Sequence, residues 1–341
     1  MTASDRRSGV RGLMGLVVIG GLVIAARLLI GRTIGDGGDV VMTFGLPASE
    51  ILVVRGSAAI AAVLAGAGLG LSGLCFQVLL RNPLASPWVL GVSSGAGFGL
   101  MTATWMSLAG GLLGGVGGIL LAFAGMPAAA LGALLAIGVV WMLSRRLGTF
   151  DPVTLVLCGV ITSATFAAGI MLLQHLVPNG VRGDLVSWMM GRIPEVSPWW
   201  LLATTGGLVI AGFGFGLRFA AALDAACLTE DEARSVGVPI DRLRHGLLLA
   251  GGLLAAASVV LVGPIAFVGL LAPHAARLVV GARHRLLVPG TVLAGAGVLL
   301  GADAVRQFID LGGGRLPVGV VTSLVGGPVF LWLLLRRGSL S

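Results

Sequence analysis

Apolar runs long enough to form membrane helices recur along almost the whole chain, separated by short polar segments. They predict a first span over residues 12–30 and further spans near 56–80, 88–108, 118–145, 151–176, 198–218, 240–263, 264–281, 287–310 and 317–336, ten in all. Two runs are interrupted in a similar style. RNPLASPWVLGVSSGA at 81–96 and GPIAFVGLLAPHAAR at 263–277 set prolines and glycines inside sequence that otherwise reads as lipid-buried helix. Broken helices persist at membrane depth only where protein or a water-filled cavity meets the freed backbone groups, so the breaks point to a pathway. Three glycine pairs at GxxxG spacing, Gly66 with Gly70, Gly110 with Gly114 and Gly297 with Gly301, are expected to mark close helix contacts. The glycine-rich stretch 108–126 leaves the boundary between the third and fourth spans loosely set.

Composition agrees with a polytopic membrane protein of 341 residues: 57% are hydrophobic and only 11% charged, with a mean hydropathy of +1.04. A soluble domain carries about twice that charged fraction. All 22 basic residues are arginine. Without lysine there is neither a phosphate-binding loop of the GxxxxGK type nor a Schiff-base lysine, so the chain is not expected to hydrolyse ATP itself. The arginines are scattered in short inter-helix segments, with no basic arm or aromatic platform for nucleic acid. Their distribution fits topology instead. Ten spans with both termini in the cytoplasm put fifteen arginines inside and seven outside. The first run, preceded by Arg6, Arg7 and Arg11, reads as an uncleaved helix, with Ala25-Ala26 a poor cleavage site.

The polar stretch 218–245 is the most informative loop. Within it LTEDEARSVG (228–237) predicts a short helix: Thr229 as N-cap with Glu232 three residues on, acids in the first turn, and Gly237 closing the end. So short a helix neither spans a bilayer nor stands alone in water. It must dock on a partner or be a solvated connection.

RNPLASPWVLGVSSGA, GPIAFVGLLAPHAARL, Ala302-Asp303 with Arg306, LPVGVVTSLVGGPVFLWLLLRR and EDEARSVGV occur in an order and spacing that resembles the membrane permeases of ABC importers for iron-siderophore, haem and cobalamin-type chelates. The resemblance runs from about residue 55 to 337. It implies an all-α integral membrane fold of ten transmembrane helices with broken helices, like a type II importer permease, in the bacterial cytoplasmic (inner) membrane. It also implies a second permease copy or close paralogue, with the pathway at the dimer interface. Two cytoplasmic ATP-binding subunits, an extracytoplasmic solute-binding protein and surrounding lipid complete the assembly, with no cofactor or bound metal. On matching positions, Glu232, Ala233, Arg234 and Gly237 resemble the contact region of a coupling helix, and Asn82 and Leu84 the cytoplasmic gate. Arg55 and Arg306 resemble arginines that meet acids of the binding protein. Thr162, Ser163, Thr165 and Ala168 of the fifth helix fit a weakly polar pathway lining. Arg55 has a rival reading as an interfacial anchor, and Arg306 as the neutraliser of Asp303 one turn earlier. The chain departs from the family where Leu52-Val53-Val54-Arg55 replaces an Arg-Leu-Pro-Arg element, and where Arg315 precedes Leu-Pro in place of an acid. Both changes imply a rearranged docking surface.

The remaining polar residues carry little chemistry. Cys75, Cys158 and Cys227 are isolated, and His175, His245 and His284 lack metal-ligand spacing. His274 suits a structural hydrogen bond and Asp151-Pro152 a helix start, whose position beside the pathway in the resembling family leaves a gating role open. No nucleophile, base and oxyanion set can be assembled. The rival from another class is a proton- or sodium-coupled carrier, for which Asp303 is the one plausible coupling residue. A structural adaptor is a third reading.

Overall fold

The computed structural model describes residues 3–34, 40–110, 117–147, 150–309 and 316–338. α1 (Ala3–Leu29) runs into an antiparallel hairpin of β1 (Ile30–Ile34) and β2 (Val40–Phe44), in which Ile30 pairs with Phe44 and Ile34 with Val40. This hairpin adds to the all-α expectation. Val40, Val41 and Thr43 favour extended backbone, but a five-residue run with three β-branched residues is hard to separate from its apolar surroundings. There follow α2 (Ser49–Leu79), a 3-10 turn (Pro87–Leu90), α3 (Val92–Gly110), α4 (Gly117–Arg146), α5 (Pro152–Leu176), α6 (Asn179–Met189) and α7 (Trp199–Arg218). α8 (Ala220–Ala226), α9 (Glu230–Ser235), α10 (Ile240–Val262), α11 (Val268–Val280), α12 (His284–Val305) and α13 (Val318–Gly338) complete the order.

Each of the ten apolar stretches holds a helix. Among the described residues seven helices are long and apolar enough to cross a membrane, while Val268–Val280 and Val318–Trp332 are shorter. α6 and α8 were not expected. Asp151 does start α5: its side chain accepts from the amides of Val153 (2.9 Å) and Thr154 (3.1 Å). Arg182 of α6 closes the other end by donating to the carbonyls of Val177 (2.8 Å) and His175 (3.1 Å).

α2 is the spine of the bundle, buried along most of its length between α10, α11 and α12. Its glycines make this possible. A Cβ at Gly66 would lie 2.3 Å from the Gly295 carbonyl of α12, and one at Gly73 only 1.7 Å from the Gly269 carbonyl of α11. In lipid, where apolar side chains gain no hydrophobic advantage from meeting, such backbone proximity is the source of packing energy. The Gly66/Gly70 pair is thus a seam. Gly297 and Gly301 are not, because among the described residues nothing outside their own stretch of helix lies within 4 Å of either added Cβ. Gly114 falls outside the described residues.

Both predicted breaks are present, and they meet. After α2, Arg81 takes a left-handed conformation (φ 47°) and the chain turns back through Pro87–Leu90 to α3. Between α10 and α11 the helix opens over Gly263–Phe267, with φ of 74° at Gly263 and 66° at Phe267. The indole N–H of Trp88 in the first break donates to the Ile265 carbonyl in the second (3.2 Å). A third irregular stretch, after α6, covers the second break from the other side: the Arg192 amide donates to the Val262 carbonyl at 2.7 Å. An aromatic residue at positive φ is rare, and Phe267 is held there against Gly326 of α13, where an added Cβ would lie 2.6 Å away.

Gly73→Leu is expected to destabilise the purified chain in detergent by about 3 kcal/mol or more, because backbone contacts leave no room to repack. Gly297→Leu is expected to stay within about 0.5 kcal/mol of the parent. Thermal unfolding of the two variants side by side checks the contrast.

Candidate functional site

α12, 22 residues and about 33 Å long, begins against α8 and ends against the C-terminal end of α1. It therefore defines two ends, one carrying α8 and α9, the other the hairpin.

At the first end, α9 is built from local code. The Thr229 hydroxyl accepts from the Glu232 amide (3.4 Å), while the Glu232 carboxylate accepts from the Thr229 amide (3.0 Å) and hydroxyl (2.7 Å). Gly237 (φ 82°) and the Val238 amide, which donates to the Ala233 carbonyl (3.1 Å), close the helix. Two anchors fix it to the bundle. Ala233 is fully buried beneath it, and Glu230 bridges Arg234 (2.8 Å) and the buried Arg244 of α10 (2.9 Å). The sequence reading placed Ala233 in a contact region, whereas the structure turns it inward as the seat. Glu232, Arg234 and Gly237 are exposed, as are Leu228 and Val236 at the two ends of the helix. Hydrogen bonds from Arg234 and Arg244 hold the Glu230 carboxyl below its ordinary range, and those from the Thr229 side chain and backbone do the same for Glu232.

α8 leads directly into α9 and is joined to α12. Asp224 accepts from both the backbone amide (3.0 Å) and Nδ1 (2.7 Å) of His284, capping α12 from another element. Burial alone would raise the Asp224 carboxyl, but the His284 hydrogen bonds, its charge and that of Arg283 bring it below the usual value. Asn82 and Leu84 lie exposed on the turn after α2. There the Asn82 side chain accepts from the Leu84 amide (2.9 Å) and its carbonyl from the Ala85 amide (3.0 Å).

The four α5 residues divide. Thr165 and Ala168 stand on a face exposed along the helix together with Leu157, Ile161 and Leu172. Thr162 is buried, its hydroxyl on the Cys158 carbonyl (2.7 Å), and Ser163 faces Gly91 at the start of α3.

At the hairpin end, Arg55 donates to the Leu28 carbonyl (2.8 Å) and lies against Gly31, beneath the hairpin. Arg306 is almost wholly buried and donates to Asp303 (2.6 Å), as its rival reading required. It also borders a cavity of about 250 Å³ lined by Ser187, Arg192, Ile193, Glu195 and Pro317. Arg27, a lone charge in the apolar run 12–30, reaches across to the other Asp303 oxygen. Gln307 turns its amide oxygen to Arg27 (2.9 Å) and its nitrogen to the Ile30 carbonyl (3.2 Å). Sequence reading missed Arg27–Asp303, Asp224–His284, Glu230–Arg244 and Trp88–Ile265. Each joins elements distant in the chain, and an isolated charge in an apolar run was the one available signal, at Arg27. Among the described residues no three His, Cys, Asp or Glu side chains are placed to hold a metal.

Comparison with known proteins gives a consistent result. The profile of the FecCD transport family matches residues 13–336. The chain is 35% identical over 278 residues to the hemin transport system permease protein HmuU of Yersinia pestis, covering 81% of this chain and 80% of that protein. It is 34% identical over 343 residues to the vitamin B12 import system permease protein BtuC of Escherichia coli O17:K52:H18, covering 99% of both. A solved metal-chelate type ABC transporter in an inward-facing conformation superposes with a TM-score of 0.79 at 29% identity, covering 96% of this chain and all of that one.

Because the folded pKa values of Glu230 and Glu232 lie below their unfolded values, the carboxylates stabilise α9 above about pH 4.3. That contribution is lost as pH falls through the lowered values. A nitroxide at Ser235→Cys is expected to stay immobile from neutral pH to about pH 4.5 and to gain mobility below it. Thr229→Ala, which removes a cap worth about 1 kcal/mol, should mobilise the label already at neutral pH.

Proposed function

Since the chain belongs to the FecCD transport family, and is thus the permease subunit of an ABC importer, we propose that it carries an iron-siderophore, haem or cobalamin-type chelate inward under the drive of a separate ATPase. In this reading two copies, or this chain and a close paralogue, enclose the pathway between them. Two ATP-binding subunits dock at the α9 end, which is cytoplasmic together with both termini. A solute-binding protein delivers cargo at the hairpin end, where Arg55, Arg306 and Arg192 supply cations. Asn82 and Leu84 form the cytoplasmic gate, and Thr165 and Ala168 line the path with the polar edge of Thr162 and Ser163 behind them.

The observation that carries the reading is α9. A six-residue helix capped at both ends, seated on Ala233 and pinned by Glu230 to Arg244, is a rigid knob with an exposed side of Leu228, Glu232, Arg234, Val236 and Gly237. A partner-driven importer needs such a knob, and a gradient-driven carrier does not. The carrier reading is weakened further at Asp303, whose two oxygens are each taken by a guanidinium and which is fully buried. A coupling residue has to bind and release its ion.

Val236→Arg places a cation at an exposed apolar position of α9 without disturbing Ala233. Buried unpaired in a partner cleft, that charge costs several kcal/mol. The variant is expected to reach the membrane normally, yet to lose co-purification of the ATP-binding subunit and ATP-dependent uptake of haem or cyanocobalamin together. Normal uptake by the variant that collapses when the proton or sodium gradient is dissipated would replace the importer reading with the carrier.

A further inference from the structure

We infer that Trp88 is a positioning residue: its indole N–H, held on the Ile265 carbonyl, ties the turn bearing Asn82 and Leu84 to the second break and fixes where that turn stands. The inference rests on the importer reading above and extends it to a residue outside the gate itself.

Depth comes first. Gly269, just past the second break, packs on Gly73 and on the Leu69 carbonyl of α2, and an added Cβ there would lie 2.9 Å from Pro87 Cδ, next to Trp88. Trp88 therefore sits level with a part of α2 some 9–15 Å short of that helix's end, well inside the bundle. A tryptophan at a membrane interface directs its N–H to headgroups or water. This residue is 41% exposed and turns its N–H inward to a backbone carbonyl 177 positions away.

The carbonyl it meets has few alternatives. Ile265 is 1% exposed and lies between two residues of positive φ, in backbone where no helix supplies a donor. A buried carbonyl left unpaired is costly, so the two breaks are held to each other by the need to satisfy it. Leu84 is four residues before Trp88. The intervening chain is a tight run in which Ala85 bonds back to Asn82 and Val89 to Ser86, with Pro87 fixing its own backbone. The turn cannot swing away from α2 while Trp88 stays on Ile265. Displacement of the turn at Asn82 and Leu84 requires this hydrogen bond to part or the second break to move with it.

Trp88→Phe removes the donor and keeps an aromatic ring, which makes it the direct test. The purified transporter, with its ATP-binding subunits, is reconstituted in liposomes loaded with carboxyfluorescein, and passive leak without ATP is measured per folded transporter. The variant is expected to leak about tenfold faster per folded transporter than the parent, as the loss of one buried hydrogen bond allows, with unchanged subunit content and a lowered thermal midpoint because the Ile265 carbonyl is left unpaired. A residue with a merely structural role would lower the midpoint and leave the leak per folded transporter alone. Parent-level leak in an assembled Trp88→Phe transporter overturns the inference. If that variant does not accumulate, Gly269→Ala is measured instead, since its methyl group presses the same two segments apart at Pro87. Increased leak there supports the tie, and parent-level leak overturns it. The importer reading fails on a separate result: absence of ATP-dependent haem or cyanocobalamin uptake by the parent transporter, a measurement that the leak comparison does not use.

Discussion

Every backbone group freed from a helix inside a bilayer must find its partner within the protein. Three irregular stretches of this chain, around the 3-10 turn at 87–90, after α6, and at 263–267, solve that problem by covering one another. Trp88 meets Ile265, and the Arg192 amide meets Val262. Gly191, Gly263 and Gly319 let the crossing backbones approach within distances that a side chain would forbid. The rest of the packing follows from this. Helices can close around such a centre only if their own backbones come near, and α2 does so through Gly66, Gly70 and Gly73 against α12 and α11.

The two ends of the bundle use charge differently. At the hairpin end Asp303 is buried between Arg27 and Arg306, tying the end of α1 to α12 across 276 positions of sequence. Such a cluster adds little net stability over a well-packed apolar contact, but removing one member leaves a buried charge unpaired, which costs about 3–5 kcal/mol. It thus fixes geometry strongly. At the α9 end the charges are mostly solvated, and Glu230 with Arg244 orients a small helix whose seat is the Ala233 methyl group. Asp224 and His284 connect that region to the start of α12, the helix that reaches the other end of the molecule. The permease thus has a glycine-packed interior between two ends that use charge in different ways.

What the sequence revealed, and what it hid, divides by range. The capping box of α9, the N-cap at Asp151 and the positions of both breaks are written in a few neighbouring residues, and each was readable as such. The burial of Ala233 against the bundle was not foretold, because a six-residue helix is too short for its apolar positions to define a face. GxxxG spacing gave Gly66 and Gly70 their proper role but said nothing of which helix face meets a neighbour, so Gly297 and Gly301 looked equivalent to them. Arg27 with Asp303, Trp88 with Ile265 and Asp224 with His284 are products of the tertiary fold alone. At the candidate site, residue types were legible while orientation was not: Thr165 and Thr162 are three positions apart, yet one is exposed and the other buried.

The central claim is that the two breaks form one internally bonded unit within the membrane, and amide hydrogen exchange in lipid nanodiscs measures it directly. Peptides covering residues 85–91 and 263–271 are expected to exchange on the slow timescale of the α2 core around Gly66–Gly73, because Ala85, Val89, Gly91, Gly263, Val268, Leu270 and Leu271 each donate their amide within the protein. Exchange of both regions as fast as that of exposed turns would mean that water, not protein, satisfies the breaks, and would contradict the account.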